Sequence, residues 1–313
     1  MSNRGNTAWT LVGIVAVLLS GYLLYQEVRN ISLAELTESL RAIATPHWVM
    51  AGLATLGAYA ALAWYDRIAV SHLGHKISWW FITLCSFTTY ALAHNIGASV
   101  FSGALVRYRA YRTKGLTPQD IGILIVFCSL TFAMGTVLAS GVVLLIQPEL
   151  ISRILPLDPW VARVIGFLML SAIILYVVGS LRNLPPLRCW KWQVEYPKPS
   201  IVARQLLAGP LEILCAAAII YFALPEQGNP GYITILGVFL ASFSLALLSH
   251  APGGLGVLEV TFLAALPEFN TVDMLAALIV FRGLYLLLPF ALAIFVVVFF
   301  EVQQACLKKI EQR

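Results

Sequence analysis

Arg107 and Arg109 flank Tyr108 directly after a glycine-broken apolar stretch, His94-Asn95-Ile96-Gly97 through Val106. Guanidinium forks hold phosphate oxygens bidentately, and tyrosines suit the headgroup level of a bilayer. That chemistry fits a phospholipid headgroup or another anion, with ordinary positive-inside anchoring as the alternative. A second broken stretch, His250-Ala251-Pro252-Gly253-Gly254-Leu255-Gly256, leads into Glu259, and Arg282 lies midway along the last apolar run. A charge at bilayer centre costs at least about 2.5–3.5 kcal/mol on insertion scales. Opposite signs at similar depth therefore predict a Glu259–Arg282 ion pair, serving either a cavity or a structural clamp. His94 and His250 sit near the two breaks, as hydrogen-bonding structural residues or as groups titrating near neutral pH. Gly97, Gly253, Gly254 and Gly256, with Pro252, form the breaks themselves. Glycine allows positive φ, and the N–H groups opening the next half-helix attract anions. Glu212 follows Pro210 and reads as a neutral, hydrogen-bonded acid beside a kink, with a proton relay as the alternative.

The elements that position these groups are membrane helices. The 313 residues are 60% hydrophobic and 11% charged, against roughly 25% charged in soluble domains. The whole chain, 1–313, reads as one integral membrane domain with no room for a soluble one. The net charge of +5 follows the membrane and implies no nucleic-acid partner. Apolar runs predict spanning helices at 8–28, 46–70, 120–146, 160–181, 201–223 and 272–299. The first is long for a signal peptide and lacks a small-residue cleavage site. Ser32 to Ala44 predicts either an amphipathic surface helix or a capped connector. Regions 79–106 and 231–267 each hold an apolar arm, a break and a short second arm, Ile96–Val106 and Leu255–Leu266. Both read as re-entrant helical hairpins, with two tilted crossings as the alternative.

Charge sets the orientation. With the N-terminus inside, the outer segments hold Arg29, Arg41, Arg153 and Arg163, while every other Lys and Arg except Arg282 falls inside. That is a positive-inside pattern with both termini cytoplasmic. The threading makes 8–146 and 160–299 the same unit in opposite orientations, an inverted repeat of the kind secondary transporters use. The expected class is an all-α polytopic membrane protein: six full spans plus two re-entrant hairpins.

No nucleophile elbow, phosphate loop, His-Glu-x-x-His or Cys/His ligand spacing occurs, so no enzyme, cofactor or metal is expected. Cys85, Cys128 and Cys215 lie in apolar runs.

Three motifs carry a family resemblance. His94-Asn95-Ile96-Gly97 with Gly103-Ala104-Leu105-Val106-Arg107-Tyr108-Arg109-Ala110-Tyr111 resembles the first signature of the MprF-type lysylphosphatidylglycerol synthase membrane domain. Ser249-His250-Ala251-Pro252-Gly253-Gly254-Leu255-Gly256-Val257-Leu258-Glu259 resembles the second. Phe281-Arg282-Gly283-Leu284-Tyr285 through Leu288-Pro289 resembles the third. In MprF proteins this domain is regarded as a flippase for lipid made by a separate cytosolic aminoacyltransferase domain. This sequence ends soon after its last helix, closer in layout to stand-alone YbhN-type relatives. The resemblance implies lipid movement without lysyl-lipid synthesis, with Arg107, Arg109, Glu259, Arg282 and Tyr285 as the functional residues. The expectation is a lipid translocase of a bacterial inner membrane with membrane phospholipid as its partner. A second copy of the chain or a lipid-synthesis enzyme is left open as a protein partner. The rival expectations are a transporter of a soluble anion and a non-transporting partner of a lipid-modifying enzyme.

Overall fold

A computed structural model describes residues 32–96, 99–182, 187–189, 192–194, 196–249 and 252–311. The expected first span (8–28), Gly97 and His250 lie outside the described residues.

Ser32 caps α1 (Leu33–Ala42). Its hydroxyl accepts from the Glu35 N–H at 3.1 Å, and its own N–H donates to Glu35 Oε2 at 2.7 Å. This reciprocal cap satisfies two end donors. The Ser32 N–H, then its hydroxyl, hold the Glu35 carboxyl below its ordinary range. Leu40 and Ile43 rest against the core, and Ser39 Oγ donates to Asp273 Oδ1 at 2.7 Å. The segment is therefore a capped helix that also lays an apolar edge on the bundle.

The chain continues through α2 (Thr45–His72), α3 (Trp79–Ile96), α4 (Ser99–Arg112), α5 (Pro118–Ile146), short α6 (Leu150–Ile154) and α7 (Pro159–Leu181). It then forms α8 (Pro199–Ala223), α9 (Tyr232–Ser249), α10 (Val257–Ala265) and α11 (Thr271–Phe281), followed by a π-helical segment, Arg282–Leu287, and α12 (Leu288–Glu311). Pro46, Pro118, Pro159 and Pro199 sit in the first turns of α2, α5, α7 and α8, where a missing N–H costs nothing.

Among the described residues, six helices are long and apolar enough to cross a membrane: Thr45–His72, Pro118–Ile146, Pro159–Leu181, Pro199–Ala223, Tyr232–Ser249 and Thr271–Phe300. All but Tyr232–Ser249 match expected spans. That helix was expected as the first arm of a hairpin. The protein is an all-α polytopic membrane protein apart from a short antiparallel ribbon, Leu187–Cys189 with Trp192–Val194, which the sequence reading did not anticipate.

Two expected arm lengths need correction. α4 runs on from Val106 to Arg112, about 21 Å at 1.5 Å per residue. It extends because Arg107 and Tyr111 point into the protein, so the basic motif is helix rather than loop. α10 is shorter than expected, ending at Ala265, about 14 Å.

α2 and α8 form the most extensive helix pair. α5 meets α8 at bare backbone: a Cβ on Gly135 would lie 2.3 Å from the Gly209 carbonyl carbon. Small residues permit such contact between membrane helices. Beside it, Gln205 Nε2 donates to Thr131 Oγ1 at 2.9 Å, and Tyr176 Oη donates to Gln205 Oε1 at 3.0 Å. Gly135→Leu drives a side chain into this contact. It should cost about 3 kcal/mol or more, read as a fall in melting temperature of the detergent-solubilised protein. Gly122→Leu, whose Cβ meets nothing within 4 Å, should stay within about 0.5 kcal/mol of the parent.

Candidate functional site

The first broken motif is anchored by a buried charge pair. Arg107 on α4 and Asp66 on α2 are 5% and 0% exposed. Arg107 Nη2 reaches Asp66 Oδ1 at 2.7 Å and Nε reaches Oδ2 at 3.2 Å. Tyr111 Oη donates to Oδ2 at 3.1 Å, and Cys128 Sγ donates to Oδ1 at 3.4 Å. The Tyr90 ring lies 4.9 Å from the guanidinium carbon, an added cation–π attraction. Gly103 admits α3, since a Cβ there would be 3.1 Å from Thr89 Cγ2. The carboxylate and the guanidinium thus satisfy one another in the buried interior, as buried charges require.

The second broken motif is held by the expected pair. Arg282 Nε donates to Glu259 Oε1 at 2.7 Å, with Nη2 at 2.5 Å from the same oxygen. Pro252–Gly254 forms a single 3₁₀ turn, and φ is positive at Gly253 (58°), Gly254 (65°) and Gly256 (79°). Any side chain would be strained at those angles. Arg282 also clamps the turn: Nη1 donates to Gly253 O at 2.9 Å and Nη2 to Gly254 O at 3.4 Å. Glu259 Oε2 accepts the Gly256 N–H at 2.8 Å. The N–H that opens α10 is therefore capped by the chain's own Glu259 carboxylate.

Pro289 shapes the third motif. It has no N–H, so the Tyr285 carbonyl lacks its usual partner four residues on. The backbone widens into the π segment, with Leu288 N–H bonding Gly283 O five residues back. Side chains from other helices satisfy the freed carbonyls. Tyr59 Oη donates to Tyr285 O at 3.0 Å, and Asn95 Nδ2 donates to Leu286 O at 3.1 Å. The Tyr285 hydroxyl itself donates to Glu212 Oε1 at 2.5 Å. His94 stacks on the Tyr285 ring, centroids 5.4 Å apart.

These contacts bring the motifs together. A Cβ on Gly253 would lie 3.6 Å from Arg282 Nη1, 3.7 Å from Leu286 Cδ1 and 3.8 Å from His94 O. The end of α3, the glycine turn and the π segment meet at one place inside the bundle. Residues 10–293, a span that includes all three motifs, match the family model described as "Lysylphosphatidylglycerol synthase TM region".

The chain belongs to the lysylphosphatidylglycerol synthase transmembrane-region family. It is similar to the inner membrane protein YbhN of Escherichia coli, 28% identical over 78% of this chain and 77% of that protein. An uncharacterized Synechocystis protein is 27% identical over 74% of this chain and 72% of its own length. The phosphatidylglycerol lysyltransferase of Staphylococcus haemolyticus is 26% identical over 87% of this chain but only 31% of its own length. The similarity to the lysyltransferase thus covers the transmembrane region, and the sequence corresponds to that region of the family rather than to its enzymatic part.

Within this family member, the expected site residues divide. Glu259, Arg282, Tyr285, Gly253, Gly254 and Gly256 form one cluster, joined by His94. Arg107 is buried, with its guanidinium paired to Asp66. Tyr111 is likewise fully buried, whereas Tyr108 is 45% exposed and Arg109 is exposed. Pro252 starts the 3₁₀ turn. The sequence reading singled out neither Asp66 nor Tyr59 and quoted Asn95 only within its motif. The available signal was Asp66 itself, an acid two turns before the end of a long apolar helix, which needs a partner.

Proposed function

We propose that this protein is a lipid translocase of a bacterial inner membrane, moving a phosphatidylglycerol-type phospholipid between leaflets. The observation that carries this reading is the meeting of the glycine turn, the end of α3 and the π segment around the clamped Arg282. Broken helices at membrane depth are where transporters place binding sites. A headgroup phosphate is the natural competitor for the place Glu259 holds between Arg282 and the Gly256 N–H. The acyl tails stay in lipid, so only the headgroup needs a polar route. Arg109 and Tyr108, exposed on α4, are the entry-side contacts in this scheme. The names of the relatives support it: one is an inner membrane protein, and another acts on phosphatidylglycerol.

The α3–α4 and α9–α10 pairs serve as re-entrant hairpins entering from opposite faces, within halves 8–146 and 160–299 of an inverted repeat. Both termini are cytoplasmic. The short second arms and the inner excess of Lys and Arg support this arrangement.

Reconstitution into vesicles tests the function. Acyl-labelled fluorescent phosphatidylglycerol should exchange between leaflets at least tenfold faster than in protein-free vesicles, read by quenching of the outer leaflet. Exchange at the protein-free rate, with uptake of a soluble phosphate ester instead, would favour the soluble-anion reading.

A further inference from the structure

Three acids are buried among the described residues: Asp66, Glu259 and Glu212. The first two each hold an arginine, so protonating either breaks an ion pair. Glu212, 3% exposed, has no cation against it. The titratable groups around it are Tyr59 and Tyr65 on α2, Cys215 on its own helix and Tyr285 on the π segment. Its Oε1 accepts from Tyr285, while its Oε2 is buried without a hydrogen-bond partner. His94 Nδ1, on the ring stacked against Tyr285, is also buried without a partner. Buried polar atoms are ordinarily paired, and two exceptions in contact with one tyrosine call for an explanation.

We propose that Glu212 is a proton-exchange site that controls the clamp on the glycine turn. Hydronium gives a proton to Oε2: one O–H bond of the hydronium breaks, one O–H bond forms on the carboxylate, and a neutral acid and a water remain; transfer back to water reverses the step, and no electron moves. Uptake changes what Oε1 offers the Tyr285 hydroxyl. Tyr285 lies one turn from Arg282 on the same π segment, whose backbone lacks the regular helix bonds, and Arg282 holds the Gly253 and Gly254 carbonyls. Glu212 also follows Pro210, which interrupts its own helix. The proton on Glu212 and the grip of Arg282 are thereby linked through one side chain.

The control of lipid movement rests on the translocase reading, but the proton site does not. Infrared difference spectroscopy of the protein in phosphatidylglycerol vesicles reads Glu212 whether or not lipid moves. A carboxylic-acid C=O band should bleach as pH is raised from acid to alkaline. It should vanish in Glu212→Gln and change frequency in Tyr285→Phe, which keeps the acid. No such pH-dependent band, or one insensitive to both substitutions, overturns the proton site. In the same vesicles the exchange rate of fluorescent phosphatidylglycerol should vary at least threefold over that pH range, and the variation should disappear in Glu212→Gln. A titrating band with a pH-independent rate in the parent protein overturns the control of the clamp.

Discussion

Asp66→Asn lowers the stability of the protein by about 3–5 kcal/mol, the usual cost of leaving one member of a buried ion pair unpaired. The substitution keeps the shape and one acceptor oxygen but removes the charge opposite Arg107 and turns the second oxygen into a donor facing donors. Arg107 is 5% exposed and has Tyr90 against its guanidinium, so it cannot turn to water without unpacking α4. The double variant Asp66→Asn, Arg107→Gln should recover at least half of the loss, because it removes the orphaned charge as well. Thermal unfolding in detergent measures all three forms. Equal losses in the single and double variants would mean that Asp66 acts through Tyr111 and Cys128 instead of through Arg107.

The second large effect is on function. Arg282→Lys keeps one positive charge near Glu259 but loses the fork that reaches Gly253 O and Gly254 O. Arginine and lysine are not interchangeable at such a site. A hydrogen bond to a charged group contributes about 1.5–3 kcal/mol, and about 1.4 kcal/mol corresponds to tenfold in an equilibrium. Losing the stronger contact alone should shift the glycine turn away from its clamped form by at least about tenfold. Phosphatidylglycerol exchange should fall by a similar factor, with the melting temperature close to that of the parent. Parental exchange in Arg282→Lys would make the clamp purely structural.

Much of this arrangement was legible in the residues. Glu259 and Arg282 lie deep in apolar sequence, where an unpaired charge is expensive, so pairing them needed only their signs and depths. The positive-φ glycines announced a turn. Asp66 and Arg107 were harder because each lies near a predicted helix end, where charge ordinarily faces water. Ending the arm at Val106 hid the decisive periodicity. Once α4 reaches Arg112, Arg107 and Tyr111 fall four residues apart on one face, and Tyr108 and Arg109 are turned away from it. That single helical turn separates the structural basic residue from the exposed one. Pro289 was in plain view, but its effect on the Tyr285 carbonyl needs the partners to be known. Tyr59 and Asn95 come from helices far away in the chain, and nothing in local spacing brings them together.

The most direct measurement is the position of the headgroup during passage. Phosphatidylglycerol carrying a photoreactive headgroup, illuminated in vesicles with the purified protein, should label peptides covering 90–112 and 252–286. Labelling at 252–286 should fall at least tenfold in Arg282→Lys. Labelling confined to the outward apolar face of α7, around Phe167, Leu168 and Leu175, and unchanged by that substitution, would contradict a headgroup route between the broken motifs.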